Sequence, residues 1–270
     1  MSASDPRDQR IELLGHPRVH LRESTSTNAH AKQLALAGAP AGTLVTAGHQ
    51  TAGRGRHGRS WWAPAGCSLL CSLILRAESP PPSGALSGER ALELLPITVA
   101  TALARALGAR AQIKWPNDIL YPRADGRLGK VAGILIERRP PERFLVVGIG
   151  VNVCARIDEA PLQLREQIAT LGRDQGAIEP LLAALLRALE AQLAAPPEAV
   201  LADFRAHDAL CGREIAWRAE SGSGALPLRG QAQGVDERGR LLVRTAEGVR
   251  ALSAGEVHLC PARPGTSASR

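Results

Sequence analysis

The sequence predicts an α+β body followed by a small all-β module. Up to residue 210, compact apolar runs alternate with helical patterns. After Gly212 the texture changes to short β-like runs separated by glycine-containing turns. A length of 270 residues fits one large unit plus one small one, at roughly 150 residues per domain.

Taken in order, residues 1–18 are polar and irregular and read as a lead-in with no room for a helix-turn-helix module. From Ser24, STSTNAHAKQLALAG reads as a Ser/Thr-rich cap and a short helix ending at Gly38. GTLVTAG (42–48) and SLLCSLIL (68–75) are strands, and ESPPPSGALSGE (78–89) is a Pro/Gly/Ser loop. RALELLPITVATALARAL (90–107) is the longest helical pattern of this half, kinked or started by Pro96. QIKW (112–115) is a short strand that runs into a turn through Pro116 to Asp118. AGILIE (132–137) and FLVVGIGVNV (144–153) are strands joined at Pro140-Pro141, and helices follow over 179–194 and 197–210. REIAWRA, LRGQAQGV, RLLVRT and VRALS, with turns at Gly222–Gly224, Arg238-Gly239 and Glu247-Gly248, then make a barrel of about 50 residues. The expected divisions are a lead-in over 1–20, a body over 21–211, a β module over 212–262 and a disordered tail over 263–270.

Composition narrows the function. The chain is 44% hydrophobic and 22% charged, so it can bury a core without metals or disulfides. No window approaches the ~20 apolar residues of a membrane span, and the N-terminus has no apolar signal region. Five cysteines, odd in number and with no C-x-x-C pair, argue against a disulfide framework or a zinc site and for a reducing cytosol. The net charge of +7 invites an anionic partner: nucleic acid, a nucleotide or an acidic protein. Of 33 basic residues only Lys32, Lys114 and Lys130 are lysines, which marks the last two as positions where a compact ammonium is wanted.

Five motifs carry the chemistry. Gly53-Arg54-Gly55-Arg56-His57-Gly58-Arg59 crowds guanidiniums into a flexible loop that an anion would neutralise, although it lacks the G-K-[S/T] of a Walker A loop. A solvated basic loop or a generic nucleic-acid contact explains it about equally well. Lys114-Trp115-Pro116-Asn117-Asp118 sets a lysine, an aromatic and two side-chain oxygens around a turn, which Pro and Asn would favour in any case. Gly129-Lys130-Val131-Ala132-Gly133 places a lysine at the mouth of a strand, where it either reaches a ligand or lies in solvent. The glycines of Gly148-Ile149-Gly150-Val151-Asn152 mark close approach by a ligand or another backbone, and Asn152, if buried, must be hydrogen-bonded. Ser24 to Asn28 and Gln50 suit a neutral polar ligand head, or simply cap a helix. Trp61, Trp62, Trp115 and Tyr121 lie near these motifs, and at least one tryptophan should be core. Joining a carboxylate to the α-phosphate of ATP brings two anions together, and a pair such as Arg56 and Lys130 could screen them. No covalent nucleophile stands out, so positioning and electrostatics are the expected means of catalysis.

STN (26–28), GHQTAGRGRHGRSW (48–61), KWPNDI (114–119), GKVAGILIE (129–137) and GIGVN (148–152), in this order, resemble the biotin–protein ligases over about residues 20–260. The resemblance implies a class II synthetase-like catalytic domain with a mixed β-sheet, and an SH3-like C-terminal module. It implies formation of biotinyl-5′-AMP from biotin and MgATP, then transfer to a lysine of a biotin carboxyl carrier protein. Ser26, Thr27, Asn28, Gln50, Gly53, Arg54, Gly55, Arg56, Lys130 and Gly133 are then the biotin contacts, and Arg56, Trp61, Lys114, Asn117, Asp118 and Asn152 lie on the ATP side. Arg56, Lys130 and Lys114 are the catalytic candidates, while Asp118 orients either the metal or the attacking amine. Magnesium comes with ATP, and no protein metal ligands are named. About 20 residues before STN leave no room for the DNA-binding module of some family members, so a monofunctional ligase without DNA or membrane attachment is expected. The oligomeric state is open, a homodimer included. A lipoate–protein ligase is the nearest alternative and would need a longer, less polar tunnel. A nucleic-acid-binding module using the Arg/Gly loop would show steeply salt-dependent binding but leaves Lys114, Lys130 and the glycine strand unexplained.

Overall fold

The computed structural model describes residues 14–76, 89–138, 143–217, 227–255 and 257–260. The loop expected at 78–89 (but for Glu89), the Pro140-Pro141 turn, the Gly222–Gly224 turn and the tail from 263 lie outside the described residues.

The body is a seven-stranded mixed sheet. Its strands are β1 (Arg18–Leu21), β2 (Leu44–Ala47), β3 (Ser68–Arg76), β4 (Gln112–Lys114), β5 (Asp118–Pro122), β6 (Leu128–Arg138) and β7 (Phe144–Asn152). They lie in the order β1-β2-β3-β7-β6-β5-β4, with β1 and β2 parallel and the other neighbours antiparallel. Alternation along β3 and β7 sorts the two faces. Leu69, Cys71, Leu73 and Leu75 of β3, with Leu145, Val147, Ile149 and Val151 of β7, join the main core. That core is covered by helices α2 (Glu89–Leu107), α4 (Ile178–Ala194) and α5 (Pro197–His207), while α3 (Leu162–Arg165) is a single turn. On the opposite face, α1 (Thr27–Leu36) packs Ala31 and Ala35 against Val45, Ile74, Phe144 and Val146. Further along this second face, the same parity gives Leu70, Ser72, Gly148, Gly150 and Asn152, of which Leu70 alone is large and apolar. The second face is thus filled at one end and open at the other.

The C-terminal module is a five-stranded antiparallel sheet of β8 (Glu214–Trp217), β9 (Leu228–Val235), β10 (Leu241–Thr245), β11 (Gly248–Leu252) and β12 (Val257–Leu259). The indole N–H of Trp115 donates to the Gly239 carbonyl at 2.9 Å, tying this sheet to the body. Trp115 is 2% exposed and is therefore the core tryptophan expected above.

Several expectations need correction. Residues 18–21 form β1 at the sheet edge, where a polar lead-in was expected, because β2 supplies a parallel partner that sequence texture cannot reveal. Asp118–Pro122 continues from its turn as strand β5, and Val257–Leu259 is a fifth strand of the module. Helix α2 begins at Glu89 and runs through Pro96, which neither starts nor ends it. Helix α5 stops at His207, short of residue 210, because Asp208 Oδ1 accepts from the Leu210 N–H at 2.7 Å and the Cys211 N–H at 3.3 Å in a side-chain turn. The Arg/Gly loop is more ordered than its three glycines suggest. Gly55 N–H donates to Arg59 O at 2.6 Å and Trp61 N–H to Gly53 O at 2.9 Å, with His57 at its tip in the left-handed region, φ 55°.

Candidate active site

On the open end of the second face, a narrow cleft of about 50 Å³ adjoins a wider cavity of about 720 Å³, the two sharing Gly55, Arg56, Trp61, Asn117 and Lys130.

The closed end of the cleft is neutral and polar. Ser26, Thr27 and Asn28 at the start of α1 are nearly buried, and none of the three makes an ordinary capping contact. Gln50 Oε1 accepts from the Thr27 backbone N–H at 2.7 Å and lies 3.1 Å from the Thr27 hydroxyl. Asn28 Nδ2 donates to Glu137 Oε2 at 2.7 Å and to the Leu135 carbonyl at 3.2 Å, while its Oδ1 accepts from the Ser72 hydroxyl at 2.6 Å. The glycines of β7 line the cleft and make room for side chains of the protein itself. A Cβ at Gly148 would sit 2.0 Å from Asn28 Oδ1, and one at Gly150 would sit 2.7 Å from the Trp61 indole. Gly53, at the start of the Arg/Gly loop, is buried, and a Cβ there would meet Trp61 O at 2.9 Å; it does not line the cleft.

The other end is cationic. Arg56 Nη1 donates to Asn117 Oδ1 at 2.9 Å, and Asn117 in turn donates from Nδ2 to the Ile134 carbonyl at 3.2 Å. Lys130 Nζ lies 2.7 Å from Asp118 Oδ1 and 5.4 Å from the centre of the Trp61 ring. Lys114 Nζ is 4.0 Å from the second Asp118 oxygen. One carboxylate therefore faces two ammonium groups, with the Arg56 guanidinium bonded to the neighbouring Asn117. Arg56, Arg59, Lys114, Arg127, Lys130 and Arg213 line the wider cavity, Arg127 being paired with Asp125, and among the described residues Asp118 is the one carboxylate in its lining. Asn152 also lines it and is held by the Ala169 carbonyl at 3.2 Å, which satisfies its amide. Cys154, just beyond Asn152, is pushed up to about 11 by burial and by Cys67 beside it, so it stays a neutral thiol near pH 7 and offers no nucleophile.

Lys130 reaches the cleft through a break in strand register. Ile119 pairs with Ala132 but Leu120 pairs with Lys130, so Val131 is an extra residue opposite β5. Strict alternation back from Gly133, which faces the cleft, would turn Lys130 into the core. The bulge reverses that parity: Val131 and Ala132 are both core residues, and Lys130 lines the cleft with Gly133.

The structure thus brings Ser26, Thr27, Asn28, Gln50, Arg54, Gly55, Arg56, Lys130 and Gly133 to one cleft, and Trp61, Lys114, Asn117, Asp118 and Asn152 to it or to the adjoining cavity. Ser72, Leu135 and Glu137 went unnoticed in the sequence. Their strands read as apolar runs, and only the face parity of β3 and β6 marks them. Arg213 and His258, which reach the wider cavity from the C-terminal module, carry no motif at all.

Comparison with known proteins agrees with this geometry. Residues 20–153 match the Biotin/lipoate A/B protein ligase family, and residues 211–259 match the Biotin protein ligase C terminal domain. A biotin–(acetyl-CoA-carboxylase) ligase of Mycobacterium tuberculosis is 35% identical over 246 residues, 87% of this chain and 86% of that one. The chain belongs to the biotin protein ligase family. A bifunctional ligase/repressor BirA of Bacillus spizizenii is 30% identical over 93% of this chain and 76% of its own length. Among solved structures, the biotin protein ligase of Aquifex aeolicus in complex with biotin and ATP superposes with a TM-score of 0.72 at 26% identity, covering 91% of this chain and 99% of that one. These biotin ligases decide for biotin over lipoate as the family's acid, and they make the chain an enzyme of ligase type.

Proposed function

We propose that this chain is an ATP-dependent biotin–protein ligase whose neutral cleft holds the biotin head and whose cationic cavity holds ATP. The single observation that carries this reading is the join between them: Arg56 and Lys130 line both. A carboxylate led out of the neutral end meets a phosphate led in from the cationic end at those two side chains. In the first step a biotin carboxylate oxygen attacks the α-phosphorus of ATP, and the bond to the β-phosphate breaks to release pyrophosphate. Lys130 and Arg56 reduce the repulsion between the two anions, a contribution that is large in a site shielded from water. Asp118 keeps Lys130 aimed, and Asn117 does the same for Arg56. In the second step the lysine amine of a biotin carboxyl carrier protein attacks the acyl carbon, an amide forms, AMP leaves and the amine loses its proton.

Magnesium belongs to the nucleotide substrate. Asp118 is already engaged by two lysines, and among the described residues no group of three or more His, Cys, Asp or Glu side chains could hold a metal ion. Hard divalent cations carried on ATP phosphates need few protein ligands. Five free cysteines support a reducing cytosol, and no helix among the described residues is long and apolar enough to cross a membrane. The body over 21–211 carries both cavities' motifs, and the module over 212–262, of SH3-like type, closes the nucleotide side through Arg213 and His258.

Incubation with radiolabelled biotin, MgATP and a biotin carboxyl carrier domain tests the proposal. Label should appear on the carrier only when ATP is present. Label from lipoate but not from biotin, or steeply salt-dependent nucleic-acid binding without any acyl transfer, would overturn it.

A further inference from the structure

We infer that Glu137 is a positioning residue which, together with Ser72, locks the Asn28 amide so that the cleft's closed end shows the ligand a carbonyl oxygen and not an amide N–H. The inference deepens the reading of this cleft as the biotin-head site and rests on it.

Asn28 has two amide hydrogens, and both are engaged: one by Glu137 Oε2 at 2.7 Å, the other by the Leu135 carbonyl at 3.2 Å. Ser72, fully buried on β3, has one hydroxyl proton. Asn28 Oδ1 can only accept, so the 2.6 Å contact between them must use that proton, and in the 2.7 Å contact between Ser72 and Thr27 the Thr27 hydroxyl is then the donor. The amide therefore has one consistent orientation. Exchanging its ends would set Oδ1 against a carboxylate and a carbonyl at once. Of the two acceptors on the Nδ2 side, Glu137 is the closer and the charged one, and charge-assisted hydrogen bonds are the stronger class. Gly148 makes room for this seat, because Asn28 Oδ1 lies 2.0 Å from where a Cβ would be.

Asn28 lines the cleft, and its one unengaged hydrogen-bonding position is the second lone pair of Oδ1. Gln50, bonded to the neighbouring Thr27, has its Oε1 tied to the Thr27 N–H, so its Nε2 is the end that remains to donate. One fixed acceptor and one fixed donor match a cyclic urea, which offers N–H groups and a carbonyl. Glu137 is exposed at the far end of β6, whereas Asn28 is 5% exposed. The polarity of a buried recognition group is thus set from a surface position, where substitution costs about one hydrogen bond and leaves the core packing in place.

The test measures biotin-dependent pyrophosphate release by the full chain, with direct titration of biotin binding. Glu137→Ala should raise KM for biotin about fivefold and lower Tm by roughly 2–4 °C while leaving kcat and KM for ATP unchanged, the size of one partly exposed hydrogen bond. Glu137→Gln, which keeps an acceptor, should stay within about twofold of wild type. Glu137→Lys places a donor against Nδ2, should drive the amide to exchange its ends, and should cost about tenfold. Wild-type KM in Glu137→Ala, identical effects of Ala, Gln and Lys, or equal losses toward biotin and ATP would each overturn the clamp while leaving the ligase reading intact. A wild-type chain that neither binds biotin nor releases pyrophosphate would overturn both.

Discussion

Replacing Gly148 with alanine tests how the closed end of the cleft is built. The added Cβ would lie 2.0 Å from Asn28 Oδ1, 2.7 Å from its Cγ and 2.9 Å from its Nδ2, so the whole amide must leave its seat. In leaving it gives up the Ser72, Glu137 and Leu135 hydrogen bonds. Each is worth about 1 kcal/mol net, with the Glu137 contact held to that value because the carboxylate is exposed, giving a loss of about 3 kcal/mol. For a chain of this size that corresponds to a fall in Tm of roughly 6–12 °C. Biotin affinity should fall in the same variant, because the acceptor facing the ligand has moved. The assays are thermal unfolding without ligand and calorimetric titration with biotin. Gly150→Ala serves as the comparison: its Cβ would sit 2.7 Å from the Trp61 indole, so the ring must shift, but Trp61 Nε1 has no hydrogen-bond partner to lose and Tm should fall less than in Gly148→Ala. A Gly148→Ala protein with unchanged Tm and biotin affinity would refute the account of why β7 carries these glycines.

Two further outcomes follow from the same geometry. Lys130→Ala should depress formation of the adenylate, since two anions then meet with less screening, whereas Arg56→Gly should let biotinyl-AMP escape into solution; pyrophosphate release and retained adenylate, measured separately, distinguish them. Away from the site, burial raises the Asp208 carboxyl above its ordinary value, opposed by the Leu210 and Cys211 N–H groups. The folded chain therefore keeps that proton over a pH range in which the unfolded chain has lost it, and stability falls as pH rises through the range. Asp208→Asn keeps an acceptor for both N–H groups and removes the buried charge, so Tm should rise at about pH 7 and match wild type at about pH 3; the same Tm difference at both pH values would contradict this.

Much of the fold was legible because its signals are local. The Ser/Thr start and Gly38 end of α1, the apolar runs of β3 and β7, the 90–107 helical pattern and the glycine-punctuated module all follow from side-chain type and spacing. Strands β1 and β5 were not legible. Arg18–Leu21 and Asp118–Pro122 are short and mixed in character, and they are strands because β2, β4 and β6 offer them backbone partners.

The sequence by itself determined which residues bear the chemistry: two isolated lysines, an arginine among glycines, a neutral STN start and a strand interrupted by glycine. Only the tertiary structure decided where they point. Asn28 and Trp61 fill the gaps at Gly148 and Gly150, so those glycines serve the protein's own side chains. Asp118 engages Lys114 and Lys130 together because β4, β5 and β6 are neighbours. Lys130 faces the cleft because Val131 bulges out of register with β5. The physical reason is the same throughout: composition and spacing act within one stretch of chain, whereas the facing of a side chain depends on pairing register, which belongs to two strands at once.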